Sequence, residues 1–281
     1  MIVDAHTHLF APGQAAAREE LERRDPTFAE MYASPKAKLA TAPDLLAALD
    51  DAGIDRAVAA GFAFSSAGDI ETQNAYLLEA AAAAAGRIIP LATVNLCLEG
   101  WLSWAEAALA GGARGFGELR PHNQGWDPLG RAADALCELA GAARAVLLWH
   151  VSEPVGHAYP GKHGGITPAE LCELATRHPS VAMIGAHFGG GLPFYLQMPE
   201  VREALRNVYF DTAAASLLYD DVSVARLVDL AGPRRVLFGS DYPLLSPRRQ
   251  LQRMNADVPG DAVQAVCGGN ANTLFADLQN E

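Results

Sequence analysis

Two histidines, His6 and His8, stand one residue apart at the end of the apolar run that opens the chain, Met1-Ile2-Val3-Asp4-Ala5. In an extended strand, residues i and i+2 share a face. The two imidazoles therefore project together, as two ligands of one metal ion would. A Zn²⁺-type ion takes at least three protein ligands and keeps a position open for water, so the pair needs partners from elsewhere in the chain.

Four residues qualify, each closing or following an apolar run. Glu118 ends Gly115-Phe116-Gly117, and His150 ends Val146-Leu147-Leu148-Trp149. His187 follows Ile184-Gly185-Ala186, and Asp241 follows Phe238-Gly239-Ser240. A single histidine after an apolar strand is more often a hydrogen-bonded core residue, but His6 and His8 tip His150 towards a ligand role. Asp241 would serve a turn or N-cap in isolation; at a strand end it suits metal ligation and general-base work. Glu118 has three readings: ligand, bridge between two ions, or partner of a ligating histidine. Asp4, two residues before His6, is expected on the same face.

The elements needed to bring these residues together are legible in the pattern. Strands are expected over 54–61, 87–94, 114–118, 145–150, 181–185, 208–211 and 235–239, in addition to the first. Helical stretches lie between them, among them 43–49, 71–85, 99–110, 128–140, 199–206 and 221–231, with a broken helical tail over 247–278. Thr167-Pro168-Ala169-Glu170 is a capping box with proline at the first helical position. Short, uniformly apolar strands alternating with helices imply a parallel sheet. Eight such units fit a closed (β/α)₈ TIM barrel forming a single domain over 1–281. An open doubly wound sheet would carry a glycine-rich phosphate turn after an early strand, and Gly189-Gly190-Gly191 does not open a helix in the required way. In a barrel the reactive residues collect at the carboxyl ends of the strands, where all the candidates stand. One long excursion, 11–42, follows the first strand as an insert or flap over that end.

Composition limits the partners. Net charge is -12 with three lysines, which argues against nucleic acid or an anionic membrane surface. Cys97, Cys137, Cys172 and Cys267 are widely spaced and read as reduced core residues of a cytoplasmic protein. No leader is expected, because the first residues already form a functional-looking strand. The longest alanine-rich apolar run, 80–85, is too short to span a bilayer. Homo-oligomerisation is left open.

The order H-x-H on strand 1, His on strand 5, His on strand 6 and Asp on strand 8 resembles the amidohydrolase superfamily of metal-dependent barrels. The phrases Ala186-His187-Phe188-Gly189-Gly190-Gly191-Leu192-Pro193, Phe238-Gly239-Ser240-Asp241-Tyr242-Pro243 and Gly269-Asn270-Ala271 are similar to the amidohydrolase-related branch that includes aminocarboxymuconate-semialdehyde decarboxylase. The resemblance implies His6, His8, His150 and Asp241 as metal ligands and His187 as a catalytic residue or further ligand. Strand 4 carries Glu118 in place of the carboxylated lysine of some superfamily members, which leaves one ion or two open.

A divalent ion, Zn²⁺ first, would lower the pKa of bound water from near 16 to about 7. Asp241 would take that water's proton and His187 would steady the oxyanion. This predicts hydrolysis of a small amide, ester or lactone. The alternative is non-oxidative decarboxylation of a small carboxylic acid on the same residues; a non-catalytic metal-stabilised binding barrel ranks lower. Arg120, His122, His157, Tyr159 and Lys162, on the loops after strands 4 and 5, are expected to form a cationic lining for an anionic small-molecule substrate.

Overall fold

In the computed structural model, described over residues 1–276, eight parallel strands run in sequence order. They are β1 (Val3–His8), β2 (Arg56–Ala60), β3 (Ile88–Leu91), β4 (Gly115–Leu119), β5 (Val146–Trp149), β6 (Met183–Gly185), β7 (Val208–Asp211) and β8 (Val236–Leu237). Regular pairing divides them into β1-β2-β3 and β4-β5-β6-β7-β8. Backbone bonds join the two groups on both sides. Ala92 N donates to Gly115 O at 2.9 Å and Gly117 N to Ala92 O at 3.1 Å, linking β3 to β4. Ala5 N donates to Phe238 O and His8 N to Tyr242 O, each at 2.7 Å, linking β1 to the extension of β8. The result is the (β/α)₈ barrel expected from the alternation.

The strands are apolar along their whole length because both faces are covered. Val3, Ala5, Val58, Leu91, Leu148 and Leu237 belong to a cluster inside the barrel. A larger cluster, with Leu45, Leu77, Phe116, Leu136, Leu171 and Phe210, lies between the strands and the helices around them.

The excursion after β1 forms three short helices, α1 (Pro12–Ala16), α2 (Arg18–Arg24) and α3 (Pro26–Tyr32). Asp25 caps α3 by accepting from Phe28 N at 3.0 Å. The outer helices follow: α4 (Ala42–Ala52), α5 (Ala67–Ala83), α6 (Trp101–Ala110), the one-turn α7 (Pro121–Gln124), α8 (Arg131–Ala143) and α9 (Pro168–Arg177). After β6 come α10 (Pro199–Ala204), then α11 (Ala215–Leu218), α12 (Ser223–Ala231) and α13 (Pro247–Asp257). The capping box at Thr167 and Glu170 is present. The α8 helix starts three residues later than its periodicity predicts. Asp127 Oδ1 accepts from Leu129 N at 2.9 Å, and this local turn competes with helix. The tail breaks at Pro259, as expected; the end of the expected run, Leu278, lies outside the described residues. No helix among the described residues is long and apolar enough to cross a membrane.

Two strands carry a register irregularity, β1 between Asp4 and Thr7 and β4 between Phe116 and Leu119. Such a bulge re-aims the side chains that follow it. Val3 and Ala5 point into the barrel, while Leu9 packs outward. Strict alternation from Val3 would have turned His6 and His8 outward too. The bulge brings both histidines inside, and the one in β4 does the same for Glu118.

Candidate metal centre and substrate cavity

His6 is fully buried and held from behind by a carboxylate: its Nδ1 lies 2.8 Å from Asp211 Oδ2. This fixes Nε2 towards the barrel axis, the carboxylate–histidine arrangement that orients metal-binding imidazoles. His6 Nε2 is 3.1 Å from His8 Nε2 and 3.8 Å from Asp241 Oδ1, and His8 Nε2 is 3.4 Å from the same oxygen. Glu118 closes the group, with Oε1 3.9 Å from His6 Nε2 and Oε2 3.8 Å from His8 Nε2. Ligands about 2.0–2.2 Å from a tetrahedral or octahedral ion stand roughly 2.9–3.6 Å apart. The donors His6, His8 and Asp241 therefore fit a divalent cation with little movement. A second overlapping set, His6, Glu118 and His187, also has its donor atoms within 4.8 Å of one another.

The charges are consistent with a cation site. Burial alone would lower the His6 pKa, but Asp211, Glu118 and Asp241 outweigh it and raise it to about 10. Burial likewise opposes charge on His187, yet Glu118 and Asp241 raise its pKa to about 9. His187 Nδ1 is 3.0 Å from Ala213 O and Nε2 is 3.2 Å from Glu118 Oε1. Both neighbours are acceptors, which fits a ring carrying two protons. Burial would raise Glu118 and Asp241, but the surrounding histidines keep Glu118 well below its usual value and hold Asp241 at about 2.

His150 meets Glu118 on one side and a loop hydroxyl on the other. Its Nδ1 is 2.7 Å from Glu118 Oε1 and its Nε2 is 3.1 Å from Ser152 Oγ. Burial and the neighbouring Arg120 lower its pKa to about 4, so it is a neutral donor that steadies Glu118. A side chain at Gly165 would meet His150 O at 2.2 Å and its ring Cδ2 at 2.5 Å; only glycine lets that loop lie against the site. His187 has φ 55°, the first of five successive left-handed residues. Asp211 Oδ1 holds this turn, accepting from His187 N at 2.9 Å and Ala213 N at 3.1 Å. Gly190 in the same turn has no room for a side chain, which would lie 2.7 Å from Ser152 O.

Above the donors lies a cavity of about 330 Å³. Its floor is His8, Glu118, His150, His187 and Asp241, and its walls include Met31, Tyr32, Leu217, Leu218, Pro243 and Leu244. Of the expected substrate residues, Arg120, His157 and Tyr159 line it. Arg120 is buried and spends its guanidinium on Asn123 Oδ1, Gly161 O and His163 O, while Nη1 has no partner among the described residues. His122 and Lys162 are corrections. His122 faces Glu170, 3.1 Å away, on a separate recess. Lys162 Nζ donates to the carbonyls of Val155 and His157 at 2.6 and 2.8 Å, so it braces the loop after β5 and does not reach the cavity.

Two further residues, Asp211 and Tyr32, escaped the sequence reading, and a third, Asp4, was read on the wrong face. Asp211 ends an apolar strand just as Glu118 does, and the same rule would have found it. Asp4 does not share a face with His6. Its Oδ1 accepts from Ser240 N at 2.9 Å, tying β1 to the segment that carries Asp241. Tyr32 sits in an excursion with no periodic signal.

A family model described as Amidohydrolase matches residues 3–276. The chain belongs to this family. A 6-methylsalicylic acid decarboxylase of Penicillium expansum is 32% identical over 122 residues, 36% of this chain and 37% of that enzyme. The match thus spans just over a third of that relative's length. Among solved structures, 5-carboxyvanillate decarboxylase of Sphingomonas paucimobilis superposes with a TM-score of 0.77 at 17% identity, covering 98% of both chains. The corresponding enzyme of Novosphingobium aromaticivorans, complexed with manganese and 4-hydroxy-3-methoxy-5-nitrobenzoic acid, gives 0.75 at 17% identity, covering 98% of this chain and 96% of that one. A 2,6-dihydroxybenzoate decarboxylase bound to 2,6-dihydroxybenzoate gives 0.72 at 14%, covering 98% of both chains.

Proposed function

We propose that this protein is a divalent-metal-dependent, non-oxidative decarboxylase of a small hydroxylated aromatic acid. One observation carries the reading. A cluster of oriented metal donors and a buried guanidinium lie on the floor of a cavity whose walls are mostly apolar. That lining suits a flat aryl ring with its anionic end at the donors. The named activities of the relatives quoted above support the same reading and favour decarboxylation over the hydrolysis first expected from the sequence. Manganese in one neighbour makes Mn²⁺ a candidate beside Zn²⁺.

His6, His8 and Asp241 would hold the ion, with Glu118 completing the set. Bound there, it would supply Lewis acidity to an anionic substrate. The chain's own residues do the rest. Asp241, ionised at neutral pH, takes the proton of a ring hydroxyl beside the carboxylate. It returns that proton to the ring carbon bearing the carboxylate. The carbon–carbon bond then breaks, its electron pair stays with the ring, and CO₂ leaves. The phenolate regains a proton from solvent, so one proton is consumed per turnover. His187, cationic and fixed between Ala213 O and Glu118, adds positive charge where the phenolate oxygen forms.

A panel of 2-hydroxybenzoates assayed for CO₂ in D₂O tests this. The product should carry one deuterium at the vacated carbon, and Asp241→Asn should lower kcat by about 10²–10⁴-fold. Acid release from esters or lactones, with no CO₂ from any aryl acid, would overturn it.

A further inference from the structure

The excursion after β1 has no part in the donor cluster, yet it supplies part of the cavity wall through Met31 and Tyr32. The Tyr32 ring is boxed by aromatics: it stacks on Phe28 at 5.1 Å and meets Phe10 edge-on at 5.1 Å and Phe62 edge-on at 5.7 Å. Its backbone is held as firmly. The Arg18 guanidinium gathers the carbonyls of Tyr32, Ser34 and Ala37 at 2.6, 3.1 and 2.5 Å. Glu30 Oε1 accepts from Gly161 N at 2.9 Å, fastening α3 to the loop after β5.

Tyr32 itself takes part in these contacts only through its ring and its carbonyl. The hydroxyl has no hydrogen-bond partner among the described residues. A rigid phenol with a spare donor in an apolar-walled cavity is a preorganised binding group.

We propose that Tyr32 is a substrate-binding residue, donating a hydrogen bond to a neutral oxygen substituent on the aryl ring, such as a further hydroxyl or methoxy group. The specificity of the site would then be set by the excursion, and its catalysis by the barrel. Burial, reinforced by the charges of Asp241 and Glu118, pushes the Tyr32 pKa well above the usual phenol value, so the hydroxyl keeps its proton. At this hydroxyl the charges of Asp241 and Glu118 outweigh the opposing charges of Arg120 and Arg18, which disfavours a second anionic group at this end and favours a neutral oxygen. This assignment rests on the aryl-acid reading above.

Tyr32→Phe is the test, because it keeps the boxed ring and deletes one oxygen. Two 2-hydroxybenzoates are compared, one with an extra ring hydroxyl or methoxy group and one without. Binding of unreactive ring-nitro analogues of each is measured by calorimetry alongside turnover. Wild-type protein should favour the oxygenated acid. Tyr32→Phe should lose about 5–150-fold in kcat/KM and in analogue affinity for that acid, and should match wild type on the other. Equal behaviour of the two proteins on both acids, or a uniform loss across the pair, overturns the role of Tyr32 while leaving decarboxylation standing. Failure of wild-type protein to bind or turn over any aryl acid overturns both.

Discussion

Asp211→Asn separates metal affinity from folding. In the wild type, Oδ2 accepts from His6 Nδ1 at 2.8 Å, and Oδ1 accepts from the backbone N–H groups of His187 and Ala213 at 2.9 and 3.1 Å. Asparagine can keep both backbone bonds through its carbonyl oxygen. Its amide then presents N–H to His6 Nδ1, which must accept. The His6 proton moves to Nε2, the nitrogen that faces His8 and Asp241, and a protonated nitrogen cannot ligate. Partners of this kind are worth about 10–100-fold in metal affinity, or about 1.4–2.8 kcal/mol. Asp211→Ala, by contrast, strands two buried backbone donors at about 1–3 kcal/mol each, so it should cost about 2–6 kcal/mol of stability. Titration calorimetry of metal-free protein with Mn²⁺, paired with thermal unfolding without metal, reads the two effects. Asparagine should weaken Mn²⁺ and lower the metal-free unfolding temperature less than alanine does. An asparagine variant that binds Mn²⁺ as tightly as wild type would refute the orienting role of Asp211.

Metal affinity should also depend on pH. The His6 pKa, raised to about 10, leaves its ring protonated near neutrality in the metal-free protein. A histidine must be deprotonated to ligate, so binding releases protons and affinity should climb as pH rises from about 6 to 9, by up to about tenfold per unit per proton released. Equal affinity across that range would contradict the assignment. His122→Ala should leave KM for an aryl acid within about twofold, since this ring faces Glu170 and not the cavity; a KM raised tenfold or more would mean the loop is misplaced. Gly165→Ala forces a methyl onto His150, which should cost about 1–3 kcal/mol in thermal unfolding and lower kcat; a variant of wild-type stability would show that the loop yields freely.

Much of this protein is legible in its sequence because the relevant signals are local. Uniformly apolar strands alternating with helices require a parallel sheet covered on both faces, and eight of them fit a barrel. Polar residues that end such strands, His6, His8, Glu118, His150, His187 and Asp241, must collect at one rim. Asp211 obeys the same rule. The tertiary structure decided what those side chains do there. Strand alternation says that His6 and His8 share a face; which face depends on the bulge in β1, set by pairing with β2 and β8. Whether His150 meets an ion or Glu118 depends on a carboxylate 32 positions away in sequence. The lysine and histidine of the loops looked like a cationic lining, but loop residues have no period to fix their direction. Lys162 turned to the carbonyls of Val155 and His157, and His122 to Glu170. Tyr32 reached the cavity for the converse reason: it was aimed by Phe10, Phe28 and Phe62, which meet only once the chain has folded.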